Sequence, residues 1–295
     1  MLSDYLAVSF AGLATGSVYA LLGSSYNVAA ASTGVLSFAQ GDLAMVAGLV
    51  AALVTIGGAA SWVFALGAAL AVGAVLSVVI AVVAVLPILQ GSVRTDLWII
   101  STLGASLVIE GIANNFWGPV PKSVNAPAAI SQTAHNVAGV LVSPYMIVCV
   151  VLGVAITTGL AQFYRSWPGR RLRAAEEDWD LAQAHGMRMR TQALTVFAVS
   201  GAIAGLAGYL FAWQALASPG AGVTLLLGGF EAAAIGGIGR NMGTLLAGWL
   251  LGLVSEFGAV AFSPAYSEIA TFVTLLIVLL IRPAGLLGYR RGRTI

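Results

Sequence analysis

Few side chains in this sequence could act as acid, base, nucleophile or metal ligand. Eleven carboxylates, two histidines and one cysteine are spread over 295 residues, and their spacing argues against most reactions. His135 and His185 lie in two different polar loops, which the topology derived below places on opposite sides of a membrane, so they cannot share a metal. Cys149 sits in an apolar run with no second cysteine to pair with, as suits a small buried hydrophobe. A P-loop needs Gly-x-x-x-x-Gly-Lys-Ser/Thr, with the lysine holding phosphates. The single lysine is Lys122, preceded by Pro121, and the glycines of "GGIGRNMG" (236–243) follow an apolar stretch rather than a strand. No catalytic residue, metal or cofactor is therefore expected, and no nucleic-acid partner.

Two groupings of charge remain. Glu110, Glu231 and Glu256 lie within apolar stretches, where ionisable groups are expensive and often functional. Glu110 and Glu256 fall near the ends of their stretches, within reach of interfacial water. Glu231 is the acid that an ion-coupled carrier would need. The second grouping is "RRLRAAEEDWDLAQAHGMRMR" (170–190), which holds nine of the chain's 24 charged side chains. Its arginines alone fit a solvated loop, but Glu176, Glu177, Asp178 and Asp180 add a run of acids that such a loop does not require.

The elements that position these groups follow from composition. The chain is 59% hydrophobic and 8% charged, with mean hydropathy +0.96, whereas soluble domains are about a quarter charged. Apolar runs such as 62–86 and 194–217 are long enough to cross about 30 Å of hydrocarbon as helices. The 36 glycines are scattered through these runs, where small residues let helices approach closely. The expected fold is all-α: a polytopic helical membrane protein of about 8–9 spans forming one domain over 1–295. Spans are read near 6–31, 43–56, 61–86, 98–113, 145–163, 194–217, 223–235, 245–262 and 268–281. The first is not expected to be a cleaved signal, because the only charge ahead of it is Asp4.

Lys and Arg accumulate in cytoplasmic loops. With the 164–191 loop inside, alternation through nine spans places all twelve arginines inside and Lys122 outside. The N-terminus is then outside, the C-terminus cytoplasmic, and 114–144 the large external loop. Within the inner loop, residues from about Arg173 to His185 read as a short helix. Its acids lie in the first turns, where the dipole favours them, and Gly186 stands at its C-terminal stop.

The two short spans, 43–56 and 223–235, each adjoin a glycine-rich break, and paired broken segments point to a transporter's substrate path. Ser37, Phe38, Gln40, Gly41 and Asp42 on one side, and Glu231, Gly236, Gly237 and Gly239 on the other, are expected to line or hinge that path. The rival reading is that these glycines only permit close packing, as in Gly201-x-x-x-Gly205 and Gly248-x-x-x-Gly252.

Four stretches carry a resemblance that runs the length of the chain. "AEEDWDLAQAHGM" resembles the cytoplasmic loop of branched-chain amino-acid ABC permeases, with its acid pair Glu177-Asp178, then Ala182, then Gly186. "GSVYALLGSSYNVAAASTGVLSFAQGDLAMVAG" (16–48) is similar to that family's first span and following turn. "FEAAAIGGIGRNMGTLLAGWLLG" (230–252) and "LIRPAGLLG" (280–288) resemble its Gly-Gly-x-Gly segment and its C-terminal exit. The chain departs from the family pattern at Ser37, Glu176 and Arg240, where Asn, Ala and a small residue are usual.

The resemblance implies a permease subunit of an importer in a bacterial or archaeal cytoplasmic (inner) membrane. It implies two ATP-binding subunits, a second permease chain (identical or homologous), and an extracytoplasmic solute-binding protein as partners, besides membrane lipid. Glu177, Asp178, Ala182 and Gly186 would form the contact with the ATPase. Branched-chain or other hydrophobic amino acids are the implied solutes, with urea and short amides as alternatives. An ion-coupled secondary carrier and a structural membrane scaffold are the readings from other classes.

Overall fold

The computed structural model describes residues 2–56, 62–89, 97–124, 135–137, 140–177 and 188–288. Among them the chain is almost wholly helical. In order it forms α1 (Leu2–Thr33), α2 (Gln40–Ile56), α3 (Trp62–Ile80), a π-turn (Ala81–Val85) leading into α4 (Leu86–Leu89), and α5 (Leu97–Trp117). A two-stranded hairpin follows, β1 (His135–Val137) and β2 (Val140–Val142), with Asn136 opposite Leu141. Then come α6 (Pro144–Arg165), α7 (Trp167–Glu177), α8 (Met189–Gln214), α9 (Ala221–Gly236), α10 (Asn241–Ala261), a 3₁₀ turn (Pro264–Tyr266) and α11 (Ser267–Ile281).

Seven helical segments of the described residues are long and apolar enough to cross a membrane, and two apolar helices, Gln40–Thr55 and Ala221–Gly236, are shorter. All nine expected spans are thus helices, the two short ones included. The hairpin lies in the 114–144 loop and was not anticipated. Its three-residue strands are too brief to show the alternation that marks a strand in sequence.

The chain forms two compact units. One comprises Met1–Ser24, Ala129–Ala161 and Gly228–Ile295, and the other Ser25–Ala128 and Gln162–Leu227. In the second unit α2, α3 and α8 pack against one another. Close approach there requires residues without side chains. A Cβ at Gly201 or Gly205 of α8 would overlap the carbonyl of Gly73 or Ala69 in α3, and one at Gly208 would overlap the Ala44 carbonyl in α2. In the first unit Gly248 and Gly252 of α10 meet Gly16 and Gly12 of α1 in the same way. Both small-x-x-x-small motifs read from the sequence are therefore helix contacts. Beside one of them, the Trp249 indole donates to Ser17 Oγ at 3.0 Å.

The α6–α7 corner is built from three residues. Ser166 N–H is shared between the carbonyls of Gln162 and Phe163. Pro168, which has no N–H to continue the ladder, occupies a first-turn position, where proline is tolerated. Gly169 then lies so close to the end of α6 that a Cβ would overlap the Phe163 carbonyl. This corner corrects the expected helix start: α7 begins at Trp167, six residues before Arg173. The expected segment beyond Glu177, with the stop at Gly186, lies outside the described residues.

Replacing Gly208 by Ala is expected to destabilise the fold by about 1–3 kcal/mol through overpacking. Gly67→Ala on α3, where a Cβ meets nothing within 4 Å, is expected to change stability by less than about 0.5 kcal/mol. Thermal melting of the two purified variants in detergent compares them.

Candidate functional site

The turn between α1 and α2 carries five of the expected path residues. α1 ends where Gly34, at φ 68°, takes the left-handed conformation that terminates helices, its N–H donating to Ala30 O at 2.8 Å. Val35 then enters a buried apolar cluster with Ala29, Ala81, Val85 and Phe197. The π-turn belongs to this cluster through Ala81 and Val85, and Ser101 Oγ of α5 donates to its Ala84 carbonyl at 2.9 Å. Phe38 stacks on Trp98 of α5, with ring centroids 6.3 Å apart. The turn is held by packing on both flanks.

Its polar side chains face inward. Ser37 and Gln40 are fully buried and Asp42 is 2% exposed. Gln40 Nε2 donates to Ser200 Oγ of α8 at 2.9 Å, and Ser200 Oγ donates onward to the Ser25 carbonyl of α1 at 2.8 Å. Ser37 Oγ and Gln40 Oε1 are buried with no hydrogen-bond partner among the described residues. Ser106 Oγ of α5 donates to Asp42 Oδ2. The other carboxylate oxygen, Oδ1, lies against Gly222, where a Cβ would strike it.

Gly222 stands in the first turn of α9, and Gly41 meets the same turn, since a Cβ there would overlap Gly222 O and crowd Leu226. The first turns of the two short helices therefore meet around one carboxylate. That position is electrostatically favourable, because the N-termini of α2 and α9 both present partial positive charge. Tyr26 OH of α1, donating to the Leu226 carbonyl at 3.4 Å, adds a contact to the same stretch of α9.

The second expected group lies in the other unit. Gly237 (φ 94°) and Gly239 (φ 84°) make the turn between α9 and α10. The C-terminal "RPAGLLG" segment fastens it: Leu286 N–H donates to Ile235 O at 2.7 Å, and a Cβ at Gly285 would press on Gly237 N at 2.7 Å. Gly236 packs equally closely on Gly243 and Thr244. Two of the four family-like stretches thus form one clasp, as close packing demands. Glu231 is 3% exposed and lies beside Thr271 of α11, whose hydroxyl donates to the Glu268 carbonyl at 2.9 Å. Glu256 accepts from Thr15 Oγ1 at 3.1 Å. No group of three or more His, Cys, Asp or Glu among the described residues could hold a metal.

Of the expected ATPase-contact residues, Glu177 ends α7, while Asp178, Ala182 and Gly186 lie outside the described residues. The sequence did not single out Ser25, Ser106 or Ser200. Each is a lone small polar residue in an apolar run, which was the only signal available.

A family model described as "Branched-chain amino acid transport system / permease component" matches residues 8–279. The chain is 30% identical to the high-affinity branched-chain amino acid transport system permease protein BraD of Pseudomonas aeruginosa, over 96% of each chain. It is 27% identical to the corresponding permease protein LivH of Escherichia coli K12, again over 96% of each. A probable branched-chain amino acid transport permease protein LivH of Methanocaldococcus jannaschii is 26% identical over 87% of this chain and 84% of its own. Among solved structures, PsaBC from Streptococcus pneumoniae in complex with Fab shares the fold, with a TM-score of 0.54 at 14% identity over 96% of this chain and 97% of that one.

Ser200→Ala removes both bonds of the Gln40–Ser200–Ser25 relay and leaves the Gln40 amide buried without its acceptor. The expected cost is about 1–3 kcal/mol, read as a lower melting temperature in detergent. Thr158→Ala on α6, whose hydroxyl bonds only carbonyls of its own helix, is expected to melt like the parent.

Proposed function

Because the chain belongs to the branched-chain amino acid transport permease family, we propose that it is the membrane-spanning subunit of an ATP-driven importer of branched-chain or other hydrophobic amino acids. It is a multi-pass membrane protein. In this reading it works beside a second permease chain and two ATP-binding subunits, and a soluble binding protein delivers the solute. The C-terminus is cytoplasmic, a side supported by the twelve arginines that alternation gathers there.

The observation that carries the transport reading is the buried meeting of α2 and α9 at their first turns. Two short apolar helices, abutting at their first turns around Asp42, make a discontinuity of the kind that lines transporter sites. Irregular backbone at membrane depth is tolerated where protein buries it or where it borders a cavity, and Val35, Ser37 and Ala39 of the turn are buried. Asp42 already occupies the positive ends of both helices. The path is therefore supplied with acceptors: the Asp42 carboxylate and the unpartnered Ser37 Oγ and Gln40 Oε1. Acceptors of this kind suit the ammonium end of an amino acid.

The clasped turn at Gly236, Gly237 and Gly239 acts as a hinge in this scheme, held by the C-terminal segment. Glu231 is a buried acid beside Thr271 in the same unit. The acid pair Glu177-Asp178, followed by Ala182 and Gly186, is the contact through which the ATPase moves the spans. Charged rims orient such docking, while the small apolar centre supplies grip.

Two experiments test this. Purification of the tagged chain from its native locus in mild detergent is expected to bring an ATPase with it. The E177R/D178R variant is expected to lose that ATPase while still eluting as a folded, monodisperse chain. Absence of any ATPase across several detergents would refute the ABC assignment. Uptake of a radiolabelled branched-chain amino acid is expected to fall at least about ten-fold for Gln40→Leu and Asp42→Asn at unchanged protein level, the equivalent of about 1.4 kcal/mol. Intact uptake in both variants would remove this turn from the path.

A further inference from the structure

The corner after α6 opens a cleft that the transport mechanism does not use. Its volume is about 430 Å³, and it lies between Pro168, Arg171 and Leu172 of α7 and Arg188, Thr191, Gln192 and Thr195 at the start of α8. Arg171 and Arg188 are exposed. Among the described residues neither is ion-paired, and Arg171 instead lies over the Trp167 ring, 4.4 Å from its centroid. Arg188 is the N-cap of α8 and its side chain does not cap it, so among the described residues no N-cap side chain takes the first-turn N–H groups of α8, next to Thr191. Two guanidiniums, a hydroxyl, an amide and a helix start line one concavity, a donor set complementary to a phosphate group.

Position decides the source of that phosphate. The cleft lies where two spans, Pro144–Arg165 and Met189–Gln214, reach the membrane surface at their adjoining ends. Trp167 is 65% exposed and Phe163, one turn earlier, is 43% exposed. Tryptophan at a span end marks the headgroup level, and basic pockets between spans on the cytoplasmic side take anionic lipid headgroups. Leu172 adds an apolar wall on which an acyl chain can begin. We propose that this cleft is a binding site for the phosphate of an anionic membrane phospholipid, held by Arg171 and Arg188 and oriented by the start of α8.

The test uses the full-length chain, stripped of lipid in detergent. Added phosphatidylglycerol is expected to raise its melting temperature and to be retained in native mass spectra, while phosphatidylcholine does neither. The R171Q/R188Q variant is expected to bind phosphatidylglycerol about ten-fold more weakly. The R165Q/R190Q variant removes the same charge from neighbouring exposed positions outside the cleft and is expected to bind as the parent does. If the double variant fails to fold, R188Q alone is expected to weaken binding in the same direction. Equal losses in the two double variants would mean a diffuse basic surface and overturn the site, as would equal binding of phosphatidylcholine. Displacement of the lipid by inorganic phosphate at matched concentration would assign the cleft to a soluble phosphate and overturn the lipid assignment.

Discussion

Hydrocarbon offers a backbone N–H or carbonyl no water to bond, and that constraint governs this chain at each point where a helix stops. Long helices satisfy it by their own ladders. The breaks satisfy it by borrowing partners. At the end of α9, the Ile235 carbonyl is met by Leu286 N–H from a segment fifty residues away. After α1, Gly34 folds back on Ala30 O and the following residues are packed between Phe197, Trp98 and the π-turn. The π-turn leaves its own irregular ladder, and Ser101 supplies a donor to Ala84 O. These three interruptions are thus tied to other elements, so the broken segments are built parts of the fold.

The second device is the removal of side chains. Apolar burial drives little association between helices already in lipid, and close van der Waals contact must do more. Gly73, Gly201, Gly205 and Gly208 bring three helices of one unit together backbone to backbone, and Gly12, Gly16, Gly248 and Gly252 join two helices of the other. Polar bonds then fix the register. Ser17 accepts from Trp249, and Ser200 links Gln40 to Ser25. A serine costs little in volume, so it can sit at a tight crossing where Asn or Gln would hold the helices apart.

This division explains what the sequence made legible. Span existence is a property of composition in a window, so all nine apolar segments could be read, including the short ones at 43–56 and 223–235. The two small-x-x-x-small motifs could be read because their spacing equals one helical turn. The partners of Gln40 and Asp42 could not: Ser200 and Ser106 lie 160 and 64 residues from them, and nothing local distinguishes them from other serines. The start of α7 was misplaced because the acids at 176–180 looked like a first turn. The corner itself is set earlier, by Pro168's missing N–H and by Gly169's approach to Phe163 O. Asp42 was singled out for function, and the fold adds a reason of its own, since its carboxylate neutralises two helix starts at once.

The crowding of charge between residues 164 and 191 then has a physical logic in two parts. Positive side chains near a span end are favoured by headgroups whether or not a protein partner exists, and Arg171 and Arg188 stand near such ends, one on α7 after α6 and one at the N-cap position of α8. Lipid gives no corresponding reason for acids. Glu176, Glu177, Asp178 and Asp180 would be repelled by an anionic surface, so the proposed protein contact is the reason offered for them. On that argument the arginines and the acids of this loop answer to different surfaces.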